Sequence, residues 1–152
     1  MASAWRICLA RHGATAFSGG GARAHGGRWN AKGTALSYAS ATLSLAALEI
    51  LVHADVDLLR SASLVACVAS WPDSLRTEKL AASLLPGAWR DTPAPPALAA
   101  LGDRWIREAR SAILFVPSAV VTAEHDVLIN PAHADAKRIG FGKPEPFAFD
   151  RT

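Results

Sequence analysis

The groups best placed for chemistry in this sequence stand in glycine-rich or apolar surroundings. "GGRWN" (26–30) puts a guanidinium, an indole and a carboxamide directly behind Gly26 and Gly27. Glycines let a backbone come close to a ligand, and an arginine beside such a loop suits phosphate; otherwise Arg28 is an ordinary loop arginine. Glu49 lies in the middle of the apolar "AALEIL". A carboxylate there is either a solvated or salt-bridged helix position or a functional group facing a cleft, because burial without a partner is costly. Arg6, inside "WRICL", must point to the solvent face, which strand alternation favours, or to an internal anion. Tyr38 serves either as a core aromatic or by stacking on a flat ring and donating from its hydroxyl. Ser118 follows Pro117 in "FVPSAV", where a serine is by default a cap or turn residue. No His or Asp neighbours it in a nucleophile-elbow pattern, which argues against a serine hydrolase.

These groups need elements to hold them. "AWRICLA" (4–10) reads as a buried strand carrying Arg6, and residues 11–34 as a long Gly-rich connection carrying Arg28. "ALSYAS" (35–40) reads as a short strand with Tyr38. "SATLSLAALEILVHA" (40–54) has apolar residues at 43, 46, 47, 50, 51 and 54, the helical spacing, with Ser40 or Thr42 as its cap. "ASLVACVAS" (62–70) and "SAILFVPS" (111–118) are apolar runs of strand length, and "VLINP" (127–131) is a shorter one. "DSLRTEKLAASLL" (73–85) and "PPALAALGDRWIREAR" (95–110) read as helices separated by the Pro-rich "PGAWRDTPAPP". The tail is expected to add one or two strands. Strands and helices do not alternate regularly, so the expectation is an α+β domain and not a doubly wound parallel sheet.

Composition narrows the field. The 152 residues suffice for one domain with a real core, and a hydrophobic fraction of 51% excludes a disordered chain. No apolar run approaches the ~20 residues that span a bilayer. The N-terminus "MASAWRICLA" reads as a first strand and not as an export signal, so the expected compartment is the cytoplasm. Cys8 and Cys67 sit in apolar runs with no zinc spacing and are expected to be reduced and buried; the His pattern gives no metal site. Of the 16 basic residues only four are lysines, which favours bidentate recognition of phosphate or carboxylate. The net charge of +3 is spread along the chain, and no helix has the basic face of a recognition helix, so direct nucleic-acid binding is not expected. "GGGARA" (19–24) does not bridge a strand directly to a helix, and "GGRWNAKG" is not a P-loop.

Taken in order, "WRI", "SGGGARAHGGRWN" with Gly33, "YAS", "LAALEILVH", "VPSAV" and "NPAHAD" resemble the RES domain family, named for an Arg, a Glu and a Ser. The resemblance runs from Trp5 to about Asp135, and Glu49 falls eleven residues after Tyr38, as the family's pattern has it. It implies a single RES domain over residues 1–152, with a mixed α/β fold similar to ADP-ribosyltransferases, short strands around a split cleft that holds NAD. It implies an NAD-degrading toxin of a toxin–antitoxin module, cleaving the nicotinamide–ribose bond by hydrolysis or phosphorolysis. The alternatives are a mono-ADP-ribosyltransferase acting on a protein, or a non-catalytic binding module. NAD is then the substrate and no metal is required. The expected partner is a cognate Xre-type antitoxin in a toxin–antitoxin oligomer.

Carried over by motif, Glu49, Arg6 and Tyr38 are the expected catalytic residues, and Arg28, Gly27, Ser118 and Asn130 the expected NAD-binding ones. Glu49 would stabilise an oxocarbenium-like ribose, as in glycoside hydrolysis. Arg6 and Arg28 would hold the pyrophosphate, or Arg6 the ribose. Tyr38 would stack on nicotinamide, and Ser118 would bond the ribose or amide. The Gly-rich loop would close around the dinucleotide, with Trp29 and Asn30 anchoring it. The sequence departs from the family's usual pattern at Gly20, Asp126 and Ala134.

Overall fold

The apolar runs become the middle of one sheet. The computed structural model, which describes residues 1–150, runs β1 (Ala2–Leu9), α1 (Gly20–His25), β2 (Ser37–Ser40), α2 (Leu43–His53), α3 (Val56–Ser61), β3 (Leu64–Trp71), β4 (Thr77–Lys79), α4 (Pro96–Glu108), β5 (Ile113–Pro117), β6 (His125–Ile129), β7 (Gly140–Phe141) and β8 (Glu145–Phe147). The strands form one mixed sheet ordered β4-β5-β6-β2-β1-β3-β7, with β8 also on β3. Every pairing is antiparallel except β4 with β5. This is the mixed α/β domain expected, and the tail supplies β7 and β8.

One seam matters for the site. β1 is registered with β3 at every position from Ala2 to Leu9, but with β2 only at Trp5↔Ser40. The sheet is therefore stitched on one side of β1 and nearly open on the other. Alternation along the strands then sorts side chains by face. Tyr38, Leu114, Val116 and Leu128 face α4 and pack with Trp29, Leu98 and Trp105. Ile7 and Ala66 face α2 and pack with Leu45's neighbour Ala46 and with Leu59 of α3. Ala4, Ala39, Ala69, Val127 and Ile129 build a separate cluster with Trp71 on the opposite face.

Local chemistry explains the helices. Thr42 caps α2, its hydroxyl accepting from the Leu45 N–H at 3.1 Å. Leu45 and Ala46 are buried, yet Leu48, Leu51 and Val52 are exposed, so the apolar stripe of α2 is wider than the surface it covers. α4 begins at Pro96, whose missing N–H costs nothing in a first helical turn. Gly102 within it is as tightly packed as any residue here: a Cβ would overlap the Trp29 carbonyl oxygen.

Two expectations are corrected. Residues 73–85 are not a helix: Thr77–Lys79 pair in parallel with β5 and only Ala82–Leu84 form a 3-10 turn. The leucine spacing there mimics a helix, but a free sheet edge offers the backbone a better partner. Residues 11–34 are not a bare connection either. They hold a 3-10 turn (Ala10–Thr15) and α1, which is flanked by Gly19, in the left-handed region, and by Gly26. Cys8 and Cys67 are free thiols and both are buried; burial first, then the adjacent Cys8, pushes the Cys67 thiol up to about 11. No helix among the described residues is long and apolar enough to cross a membrane.

Candidate functional site

The ends of β2 and β5, the start of β6 and the second turn of α2 converge on one spot. Trp5, Ser40, Asp126 and Val116 form a row across β1, β2, β6 and β5 by register. Ser118 lies two residues past Val116, just beyond the end of β5 on the same face. α2 lays Glu49 over this row. The Ser118 hydroxyl donates to Glu49 Oε1 at 2.9 Å, and His53 Nε2, one turn further along α2, lies 3.4 Å from Glu49 Oε2. The Glu49 side chain is 22% exposed, neither solvated nor sealed in. Ser118 is itself fixed, because its Oγ accepts from the Val120 and Val121 N–H groups, each at 3.1 Å.

Asp126 completes the corner. Its Oδ1 accepts from the Ser40 hydroxyl at 3.0 Å. Burial above all, then the neighbouring Glu49 carboxyl, push the Asp126 carboxyl up to about 8, against a smaller opposing pull from Ser40 and Arg28.

The arginine loop flanks this corner. The Arg28 charge reaches both Asp126 and Tyr38. Its Nη1 donates to the Trp89 and Asp91 carbonyls at 2.7 and 3.2 Å. Behind it the loop is tied down. The Tyr38 hydroxyl donates to Asn30 Oδ1 at 2.6 Å and accepts from the Trp29 N–H at 2.9 Å. Asn30 Nδ2 serves the carbonyls of Ala22, Ala31 and Thr34, and Asp103 of α4 accepts from the Ala31 N–H. Gly27 leaves room for this: a Cβ there would stand 2.7 Å from the Tyr38 hydroxyl. The loop is thus held shut by its own bonds, and its glycines serve packing at Gly27 and a left-handed turn at Gly26 (φ +74°), not a hinge.

The structure brings Glu49, Ser118, Arg28, Tyr38 and Gly27 to one side of the sheet. Tyr38 stands there as a loop anchor, its hydroxyl already bonded and its phenol pushed up by burial. Arg6 is set apart. Registered with Cys67, it alternates away from Trp5, and its Nη1 reaches the Tyr38 carbonyl at 3.0 Å where β1 and β2 are barely paired. It is half-buried at the seam and not on an open solvent face, and its buried Nε has no protein acceptor. Asn130 is not brought in. It lies beyond the far end of β6, about 14 Å along the chain from Asp126, with Oδ1 accepting from the Ala132 N–H in a turn.

Three participants carry weak sequence signals. His53 follows Glu49 at helical i+4 spacing, which is legible. Ser40 and Asp126 are polar residues at strand ends, and only the β2–β6 register shows that they meet. Among the described residues no three His, Cys, Asp or Glu side chains converge as a metal site requires. A hollow of about 660 Å³ beside Leu51, Leu64, Phe147 and Phe149 includes none of these residues.

Comparison with known proteins identifies the family. The chain is 37% identical over 151 residues to a Prs ADP-ribosylating toxin of Sphingobium sp. (strain YBL2), covering 97% of this chain and 94% of that one. It is 35% identical to a Toxin Res of Yersinia enterocolitica, covering 96% and 95%. Among solved structures, the M. tuberculosis MbcT–MbcA toxin–antitoxin complex contains a chain that superposes with a TM-score of 0.78 at 14% identity, over 97% of this chain and 84% of that one, a likeness of fold. The RES domain model matches residues 3–150, and the protein therefore belongs to the RES domain family.

Proposed function

We propose that this protein is the toxin of a toxin–antitoxin pair and that it consumes NAD by cleaving the nicotinamide–ribose bond. The observation that carries the reading is the Glu49 carboxylate, fixed by the buried Ser118 hydroxyl beside an arginine loop. In this reaction the C1′–N bond breaks, its electron pair goes to the pyridinium nitrogen, and nicotinamide leaves neutral. The ribose carbon becomes cation-like, and a carboxylate held beside it stabilises that charge more than the ground state. Glu49 takes this role, and Ser118 holds the carboxylate in place. Arg28, whose charge reaches the corner, takes the pyrophosphate; Arg6 contributes an N–H at the seam. No metal is needed, because the leaving group already carries its positive charge. Water, phosphate or a protein side chain then adds to C1′ and gives up its proton.

A second reading follows from the relative described as an ADP-ribosylating toxin: the final acceptor is a protein and the product a mono-ADP-ribosylated target. The same corner serves both, since they differ only after the bond has broken. The antitoxin, which we assign to the Xre type, would neutralise the toxin in a complex, as the fold neighbour is bound to its antitoxin.

The test is nicotinamide release from NAD by the purified chain, with and without phosphate, beside Glu49→Gln. Loss of one transition-state group of this kind lowers kcat by about 100- to 1000-fold. Phosphate dependence separates phosphorolysis from hydrolysis. Release only when a cell extract supplies an acceptor, with label on one protein band, favours transfer. Equal release by the variant removes Glu49 from the chemistry.

A further inference from the structure

We propose that Arg90 is a positioning residue for Arg28: it pins the Pro-rich segment 86–95 to the turn that carries Ser118, and the pinned segment aims the free edge of the Arg28 guanidinium at an anion of the pyrophosphate class. This deepens the NAD-cleavage reading, on which the identity of the ligand as a dinucleotide rests.

Residues 86–95, which lead into α4, have little structure of their own. They form two successive turns, closed by the Trp89 N–H on the Pro86 carbonyl at 3.1 Å and by the Asp91 N–H on the Ala88 carbonyl at 3.0 Å. Such a stretch takes its position from what it touches. Trp89, half-buried, packs against the cluster of Trp29, Leu98 and Trp105 and fixes the segment at one point. Arg90 fixes it at a second. Its Nε donates to the Ala119 carbonyl at 3.0 Å, 29 residues away in the chain. Among the described residues, no other side chain of the segment makes a hydrogen bond or an ion pair. Ala119 directly follows Ser118, in the turn where the Ser118 hydroxyl accepts from the Val120 and Val121 N–H groups and donates to Glu49. The second fastening is therefore made at the wall of the acidic corner.

Arg28 grips the same segment from the other side. Its Nη1 donates to the carbonyls that flank Arg90, Trp89 at 2.7 Å and Asp91 at 3.2 Å. A guanidinium carries a pair of N–H groups on each Nη and one on Nε. Both N–H groups of Nη1 are thus engaged, while Nε and Nη2 have no protein acceptor among the described residues. Those two nitrogens present parallel N–H groups along one edge, the geometry that holds two oxygens of a phosphate. A planar guanidinium cannot turn without breaking its Nη1 bonds, so the two carbonyls set the direction of that edge. Because they flank residue 90, the bond from Arg90 to Ala119 sets their place. Contacts then run unbroken from Glu49 through Ser118 and Ala119 to Arg90, and from its two neighbours to Arg28. Arg90 is itself exposed and fills no core. What it contributes is order, which an anion would otherwise have to impose on binding.

The full chain tests this in three ways. In Arg90→Ala the KM for NAD should rise at least about fivefold with kcat within about twofold, because an aimed anion contact serves ground and transition states alike. Melting should move by no more than about 2–4 °C, as for one exposed hydrogen bond. In an Arg28→Lys background the same substitution should change KM by less than about twofold, since an ammonium has no edge to aim. The Nε–H resonance of Arg28 should report an ordered side chain in the wild type and a mobile one in Arg90→Ala. The Kd for inorganic pyrophosphate should rise in Arg90→Ala by the same factor as KM. An undiminished effect in the Arg28→Lys background would mean that Arg90 meets the anion itself, and would overturn the proposal. So would an unchanged KM, an Arg28 resonance insensitive to residue 90, or a wild type that binds no pyrophosphate. If the wild type binds pyrophosphate but releases no nicotinamide, the NAD reading fails, while the resonance and the pyrophosphate titration still decide the role of Arg90.

Discussion

The arginine loop and the acidic corner lie side by side on the sheet but are built on opposite rules. In the loop, donors and acceptors are matched: the Tyr38 hydroxyl both gives and receives, Asn30 Nδ2 serves three carbonyls, and Asp103 takes the Ala31 N–H. In the corner, acceptors outnumber donors. Two carboxyl groups share Ser40, Ser118, His53 and one charge from Arg28. A matched network has one arrangement and resists change; an unmatched one holds electrostatic tension that a cationic transition state relieves. On the proposed reading the loop positions and the corner does the chemistry.

The comparison breaks most visibly at Gly102. Replacement by Ala puts a methyl onto the Trp29 carbonyl oxygen, and both atoms belong to backbone, so α4 and the loop must separate. Overpacking of this kind costs about 1–3 kcal/mol and occasionally more, and backbone overlap belongs at the upper end. At about 2–4 °C per kcal/mol for a chain of this size, melting should fall by about 6–12 °C. An unchanged melting temperature would mean that the loop is not clamped by α4. Tyr38→Phe is the next step down. It keeps the ring in the core with Trp29 and Leu128 but strands Asn30 Oδ1 and the Trp29 N–H. The expected loss is about 1–3 kcal/mol, with nicotinamide release falling in parallel with loop order. If release collapses while melting is unchanged, Tyr38 touches the substrate and the division between the two regions is wrong.

Much of this was legible before the fold. β1, α2, β3, α4 and β5 follow from apolar spacing, the Thr42 cap and the Pro96 start, all local signals. Glu49 and Ser118 stand out as polar residues in apolar runs. What could not be read depends on partners distant in sequence. Thr77–Lys79 is a strand because β5 lies beside it, and Gly102 is required because Trp29 passes over it. Asp126 matters because β6 meets β2 in a register that no local pattern encodes. Asn130, expected from the resemblance alone, lies beyond the far end of β6, where its Oδ1 accepts from the Ala132 N–H two residues on.

Arg28 sits on the boundary between the regions, and its replacement by Lys gives the smallest but sharpest effect. The backbone at 28 belongs to the anchored loop, and its neighbours Gly27 and Trp29 make the contacts that hold it. The guanidinium charge reaches the corner at Asp126. Lys keeps the charge and loses the planar fork. The two bonds to the Trp89 and Asp91 carbonyls come from one half-exposed nitrogen, so their loss should shift melting by no more than about 2–4 °C, the equivalent of about 1 kcal/mol. A bidentate contact to a pyrophosphate is a different matter, because a point charge cannot reproduce it. The KM for NAD should therefore rise about tenfold, which is about 1.4 kcal/mol of binding, with kcat within about threefold, since the contact is made equally in ground and transition states. The opposite pattern, with melting lowered and KM unchanged, would make Arg28 one more strap of the anchor and leave the pyrophosphate to Arg6 at the seam.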